Sequence, residues 1–199
     1  MFSHDRKASM FDLITWHAYM TVLLYGAGEA LLTLSRRAGN KTRKADKGSL
    51  VLLWLVIPVA VLLALLIGRH LEFADLPFFR THHEIGIALM LAGILLRIYA
   101  VVYLGRFFTV NVAIAQDHTL IDTGPYRWIR HPSYTGILMV YLGIGLCLAN
   151  GVALAIILLP SITLMLWRIR IEENALQAGL GASYSTYMQR TARLLPWIY

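Results

Sequence analysis

The stretch Asp122–Gly136, DTGPYRWIRHPSYTG, gathers Arg127, Arg130, His131 and Ser133 among Tyr126, Trp128 and Tyr134 in an otherwise apolar region. Gly124-Pro125 is a turn signal, with Pro125 fixing φ and removing a backbone donor. Pro132 biases His131 toward an extended backbone, and an apolar run begins directly after it. Two rigid turns carrying basic and aromatic groups at the edge of an apolar segment suit a binding site. The same residue types also suit interfacial anchoring, in which arginines snorkel and Tyr and Trp lie at headgroup level. A second polar cluster, Arg168, Arg170, Glu172 and Glu173, follows the next apolar stretch. On a helix, Arg168 with Glu172 and Arg170 with Glu173 are spaced for surface ion pairs worth roughly 0.2–0.5 kcal/mol each. Beside a basic-aromatic turn, the carboxylates instead suit the amines and ribose hydroxyls of a nucleotide-like ligand, and the rings suit its base.

Other chemistries find no support in the residues. The chain has no phosphate-binding GxxxxGK[ST] loop, no HExxH zinc motif and no GxSxG nucleophile elbow. Nothing resembles an ion selectivity filter. His70, His82, His83 and Glu84 lack a defined ligand spacing, so no metal site is expected. The single Cys147 lies in an apolar run, which excludes an intrachain disulfide and a cysteine-based zinc site.

The elements that must position these clusters are membrane helices. Hydrophobic residues make up 58% of the 199 and charged residues only 15%, against roughly 45–50% apolar in soluble domains. The expectation is a single all-α integral membrane domain with about five transmembrane helices, residues 1–104 supplying three and residues 105–199 the rest. The first apolar run, Phe11–Leu34, contains Asp12, His17 and Glu29, and Gly26 and Gly28 offer a close-packing face. It has the length of a span and no small-residue cleavage site, so it does not read as a cleaved signal. Glu29 either serves the interior or reaches the interface at the basic end of the span. Ser35–Ser49 is strongly basic and predicts a cytoplasmic loop. The formal charge of +7 points to anionic lipid and topology control rather than nucleic acid, because no aromatics interleave the basic residues.

The second span is Leu50–Ile67, kinked at Pro58, and the third Ile85–Leu104, with Gly86 and Gly93 on one face and Arg97 inside it. Gly136–Trp167 is broken near its middle by Asn150-Gly151 and predicts a tight helical hairpin of two short halves. A polar helical extension then ends at Gly179 and Gly181. Alternation puts the N-terminus outside and lands the basic loop, the motif loop and the charged C-terminal segment on the cytoplasmic side. The hairpin brings the two polar clusters together.

The runs HTLIDTGPYRWIRHPSYTGIL and RIEENAL, with the Tyr184, Tyr187 and Arg190 pattern after Gly181, closely resemble the isoprenylcysteine carboxyl methyltransferases. These stand within a wider group of membrane methyltransferases that includes the phospholipid N-methyltransferases. The resemblance extends weakly back to LRIYAVVYLGRFF and so covers about the C-terminal half. It implies S-adenosyl-L-methionine bound on the cytoplasmic side between the motif loop and the C-terminal helix. Carried over by position, Gln116, His118 and Leu120 border the adenosine, with Tyr126 also against the cofactor. His131, Pro132 and Tyr134 hold the methionine part and ribose, and Glu172 or Glu173 takes polar groups of the cofactor. Arg170 matches the position associated with the substrate carboxylate, and Glu173 is the second residue with an implied catalytic role.

Methyl transfer from a sulfonium neutralises separated charges in line, so a dry site that aligns the reactants favours it. A carboxylate acceptor is already ionised and needs an arginine to orient it, whereas an amine needs a proton acceptor such as Glu173. A lipophilic isoprenoid or lipid substrate is expected to reach the site sideways between spans, with Gly26 and Gly93 as the small residues at that passage. A membrane reductase of the sterol type, which carries a similar GPY, RHPxY and EE ending but uses NADPH, is the alternative chemistry. A non-enzymatic scaffold is a third reading. The 199-residue sequence ends in no CaaX motif, so the protein is not expected to be a prenylation target itself.

Overall fold

The computed structural model describes residues 26–32, 48–68, 70–108 and 120–196, and it is helical throughout with two isolated bridges. Residues 26–32 are helical (α1) and are the described part of the first expected span. The other helices are α2 (Ser49–Ile67), α3 (Pro77–Thr81), α4 (His83–Leu104), α5 (Pro132–Cys147), α6 (Gly151–Leu180) and α7 (Ala182–Arg190). Three of them, α2, α4 and α6, are long and apolar enough to cross a membrane, and α5 is a shorter apolar helix of 16 residues. Large apolar side chains such as Leu55, Leu95, Val102 and Leu159 are exposed on them, as lipid-facing residues must be. This is an integral membrane protein.

Antiparallel α4 and α5 form the most extensive pair, because glycines let their backbones touch. A Cβ on Gly93 would stand 2.5 Å from the Gly136 carbonyl oxygen, and one on Gly136 2.5 Å from that of Gly93. Gly86 and Gly143 repeat the arrangement, with corresponding distances of 2.8 and 2.5 Å. The expectation that Gly93 borders a lateral passage is therefore corrected: it is consumed in a helix seam, while Gly26 does line the central cavity. α2 packs on α6 and α6 on α5. Ile57, Val61 and Ala64 of α2 meet Met90 of α4, Val140 and Ile144 of α5, and Ala153 and Ile157 of α6 in one core.

The turn between α5 and α6 spans three residues, and its halves are unequal. α6 runs 30 residues, through Pro160 and on into the polar extension. Asn150 caps it, its Oδ1 accepting from the amides of Val152 and Ala153 at 3.1 Å each. Its Nδ2 donates to the Leu71 carbonyl at 2.9 Å, which ties the turn to the loop between α2 and α4. At the other end Gly181, with φ 59°, closes α6 and turns the chain into α7.

Candidate active site

The motif loop is shaped by contacts that its glycine and prolines allow. Gly124 has φ 57°, and a Cβ there would meet the Tyr103 ring at 2.5 Å, so both conformation and space require glycine. Residues Gly124–Arg127 form a single 3-10 turn that turns Tyr126 inward, its hydroxyl donating to the Ala100 carbonyl at 3.2 Å. Arg127 and Trp128 turn outward and stack on each other at 5.4 Å, as anchoring residues would. Arg130 and His131 turn back in. Pro132 opens α5 at a position where its missing amide costs nothing.

A strap formed by the residues after α7 holds this loop. The Arg130 amide donates to the Ala192 carbonyl at 2.8 Å, the His131 amide to that of Arg193 at 3.0 Å, and the Ala192 amide to that of Trp128 at 3.2 Å. The Thr135 hydroxyl donates to the Leu194 carbonyl at 2.8 Å, and Tyr187 donates to the Tyr126 carbonyl at 2.6 Å. Burial pushes the phenols of Tyr126 and Tyr187 above their ordinary value, so both stay neutral donors.

Glu173 and Glu172, adjacent on α6, do different work. Glu173 is buried and receives Arg130 Nε at 2.8 Å and Arg193 Nε at 2.9 Å, with His131 Nε2 at 3.3 Å. Three cationic or imidazole groups converge on one carboxylate, which locks loop, α6 and strap together. Glu172 instead accepts from the Tyr134 hydroxyl at 2.6 Å, and that hydroxyl accepts from Arg168 Nε at 3.0 Å. Arg168 also donates through Nη1 to the Ser49 hydroxyl at 2.8 Å, bringing the start of α2 into the site. The His131 and Tyr134 rings stack with centroids 5.6 Å apart.

Beside these groups lies a cavity of about 450 Å³. At its polar end stand Arg130, His131, Tyr134, Arg168 and Glu172. An apolar arm extends from there along Leu53, Ile57, Val61 and Ile144. Arg97, also on the wall, is paired with Glu29 of α1 through two hydrogen bonds and donates to the Ser133 hydroxyl at 2.5 Å. Glu29 thus serves the interior rather than the interface.

Of the residues singled out from sequence, Leu120, Tyr126, His131, Tyr134 and Glu172 line the cavity. Pro132 is buried at the start of α5, and Glu173 lies behind His131 and Arg130, outside the lining. Arg170 is exposed and stands off the cavity wall, whereas Arg168 is buried on it. Gln116 and His118 lie outside the described residues. Arg130, Ser133 and Arg168 belong to the two polar clusters marked in the sequence, which gave them no individual role. For Arg168 the usable signal is an ionisable residue in an apolar helix, the feature that also marks Arg97 and Glu29.

The fold and site define a helical membrane protein with a polar pocket that opens into an apolar arm between its helices. The sequence profile of the isoprenylcysteine carboxyl methyltransferase (ICMT) family matches residues 86–178. A protein-S-isoprenylcysteine O-methyltransferase of Schizosaccharomyces pombe is 30% identical over 163 residues, covering 73% of this chain and 67% of the relative. A protein of Oryza sativa subsp. indica named "Probable protein-S-isoprenylcysteine O-methyltransferase" is 34% identical over 121 residues, 57% of this chain. The chain spans 61% of that relative's length. The solved structure of a eukaryotic intramembrane Ras methyltransferase, isoprenylcysteine carboxyl methyltransferase, superposes with a TM-score of 0.63 at 28% identity, over 71% of this chain and 52% of that one. The chain belongs to the isoprenylcysteine carboxyl methyltransferase family.

Proposed function

We propose that this chain is an S-adenosyl-L-methionine-dependent methyltransferase acting on the carboxylate of a lipophilic, isoprenylcysteine-type acceptor. The observation that carries the reading is the cavity in which an apolar arm meets His131, Tyr134, Arg168 and Glu172. Its volume of about 450 Å³ falls within the roughly 300–1,000 Å³ typical of small-molecule sites, and its polar end offers a carboxylate, hydroxyls and aromatic faces that fit an adenosyl cofactor. Five membrane segments, with the N-terminus outside and the motif loop, α7 and strap on the cytoplasmic side, complete the proposed arrangement.

Leu120 and Tyr126, with Gln116 and His118, border the adenosine in this reading. His131, Pro132 and Tyr134 shape the wall for the methionine part and ribose, and Glu172 takes a polar group of the cofactor. When bound, the cofactor supplies an electrophilic methyl group on a sulfonium. The resemblance gives the acceptor carboxylate to Arg170, but of these two neighbouring arginines it is Arg168 that lies on the cavity wall. We assign it the orienting role, its fork already fixed by Tyr134 and Ser49. Glu173 is engaged by Arg130, Arg193 and His131, so its role is to hold the loop rather than to take a proton from an amine. That favours a carboxylate acceptor over a lipid amine. The apolar arm holds the isoprenoid and keeps water from the reacting atoms.

Calorimetric titration of the detergent-solubilised chain with S-adenosylmethionine, S-adenosylhomocysteine and NADPH tests the reading. Binding of both adenosyl ligands, weakened by His131→Ala, is expected. Binding of NADPH in their place would establish the reductase alternative.

A further inference from the structure

The hydroxyl of Tyr184 is buried and has no hydrogen-bond partner, a state it shares with only the His83 Nδ1 atom among side chains of the described residues. Tyr184 itself is 2% exposed and lines the cavity. Buried phenols nearly always find a partner, and the neighbouring ones do. Tyr126 donates to Ala100, Tyr134 to Glu172 and Tyr187 to Tyr126. Packing does not account for the exception. The Tyr184 ring lies against Tyr187, with centroids 5.8 Å apart, and a phenylalanine would fill the same space without stranding a polar atom. The nearby carboxylates are already engaged, Glu172 by Tyr134 and Glu173 by Arg130, His131 and Arg193.

We propose that the Tyr184 hydroxyl is a ligand-binding group of the polar pocket, donating a hydrogen bond to an oxygen of the adenosyl cofactor. This rests on the methyltransferase reading above. The cofactor rather than the acceptor's lipid tail is the partner. Tyr184 belongs to α7, beside Tyr187 and the Glu172–Glu173 end of α6, whereas the apolar arm is walled by α2 and α5. Burial and the two glutamates hold the phenol well above its ordinary pKa, so it remains protonated and able to donate.

The test pairs ligand affinity with the stability of the ligand-free protein. S-adenosylhomocysteine is titrated into the 199-residue wild-type chain and its Tyr184→Phe variant in detergent, and both are melted without ligand. A hydroxyl bonded only to ligand predicts that Tyr184→Phe melts at the wild-type temperature or higher, yet binds roughly three- to tenfold more weakly. Affinity within twofold of wild type would overturn the assignment, since the hydroxyl would then serve only water. A lower melting temperature in the ligand-free variant would overturn it as well, by revealing a structural bond. If wild-type protein binds no adenosyl ligand, the cofactor reading fails and takes this one with it, whereas binding retained by Tyr184→Phe defeats this one alone.

Discussion

Arg168 and Arg170 stand two residues apart on α6, about 200° around the helix, and therefore face opposite environments. Arg168 is buried between Tyr134 and Ser49, and Arg170 faces outward. Motif similarity places the pair but carries no information about which face of the helix meets the cavity. Arg168→Lys keeps the charge but loses the planar fork, and it is expected to lower kcat/KM for a farnesylated cysteine acceptor by about tenfold or more. Arg170→Ala should stay within about twofold of wild type and shift stability by less than about 0.5 kcal/mol. A radiolabelled methyl-transfer assay on the two variants separates the roles. A large loss for Arg170→Ala with Arg168→Lys near normal would return the orienting role to Arg170.

At the scale of elements, the seam between α4 and α5 positions the site, because α5 carries His131 at its cap and Tyr134 in its first turn. Gly93 and Gly136 are in backbone contact there. Gly93→Ala must push the helices apart, and it is expected to cost about 1–3 kcal/mol and lower the melting temperature in detergent. Gly28→Ala in α1, with nothing within 4 Å of the new Cβ, should instead be neutral or gain up to about 1 kcal/mol from helix propensity. Equal responses at the two positions would mean that the seam is looser than its geometry. The spacing of Gly86 and Gly93 was visible in the chain; that Gly143 and Gly136 answer them was not, because antiparallel register appears only when both helices are in place.

For the whole molecule, ion pairs are among the long-range ties. Glu29 of α1 and Arg97 of α4 meet at the cavity wall, and Arg97 passes the contact to Ser133 at the start of α5. Taking one partner from a buried pair leaves the other charge uncompensated in a low-dielectric setting. Glu29→Gln is expected to destabilise the protein by about 3 kcal/mol. Glu29→Gln combined with Arg97→Met should recover part of that loss, since neither charge remains to be buried. Thermal melting of the two singles and the double, read as a double-mutant cycle, measures the coupling. Strict additivity would show that the pair does not hold α1 to the bundle.

Composition and hydrophobic run lengths by themselves determined a helical membrane protein, since a chain so poor in charge cannot cover itself with polar surface. Local chemistry determined the punctuation: Asn150-Gly151 breaks the apolar stretch, Gly181 ends α6, and Pro132 starts α5. The motif residues marked the site because turns and ionisable groups are costly beside lipid and persist where they are used. What only the tertiary structure decided are the partnerships across long stretches of chain. Glu173 is tied to Arg130, Arg193 and His131, and Tyr134 links Arg168 to Glu172. Sequence spacing reports which residues share a helix face. Which face closes on which, and so which charges are paired and which hydroxyl is left without a protein partner, depends on how the helices pack.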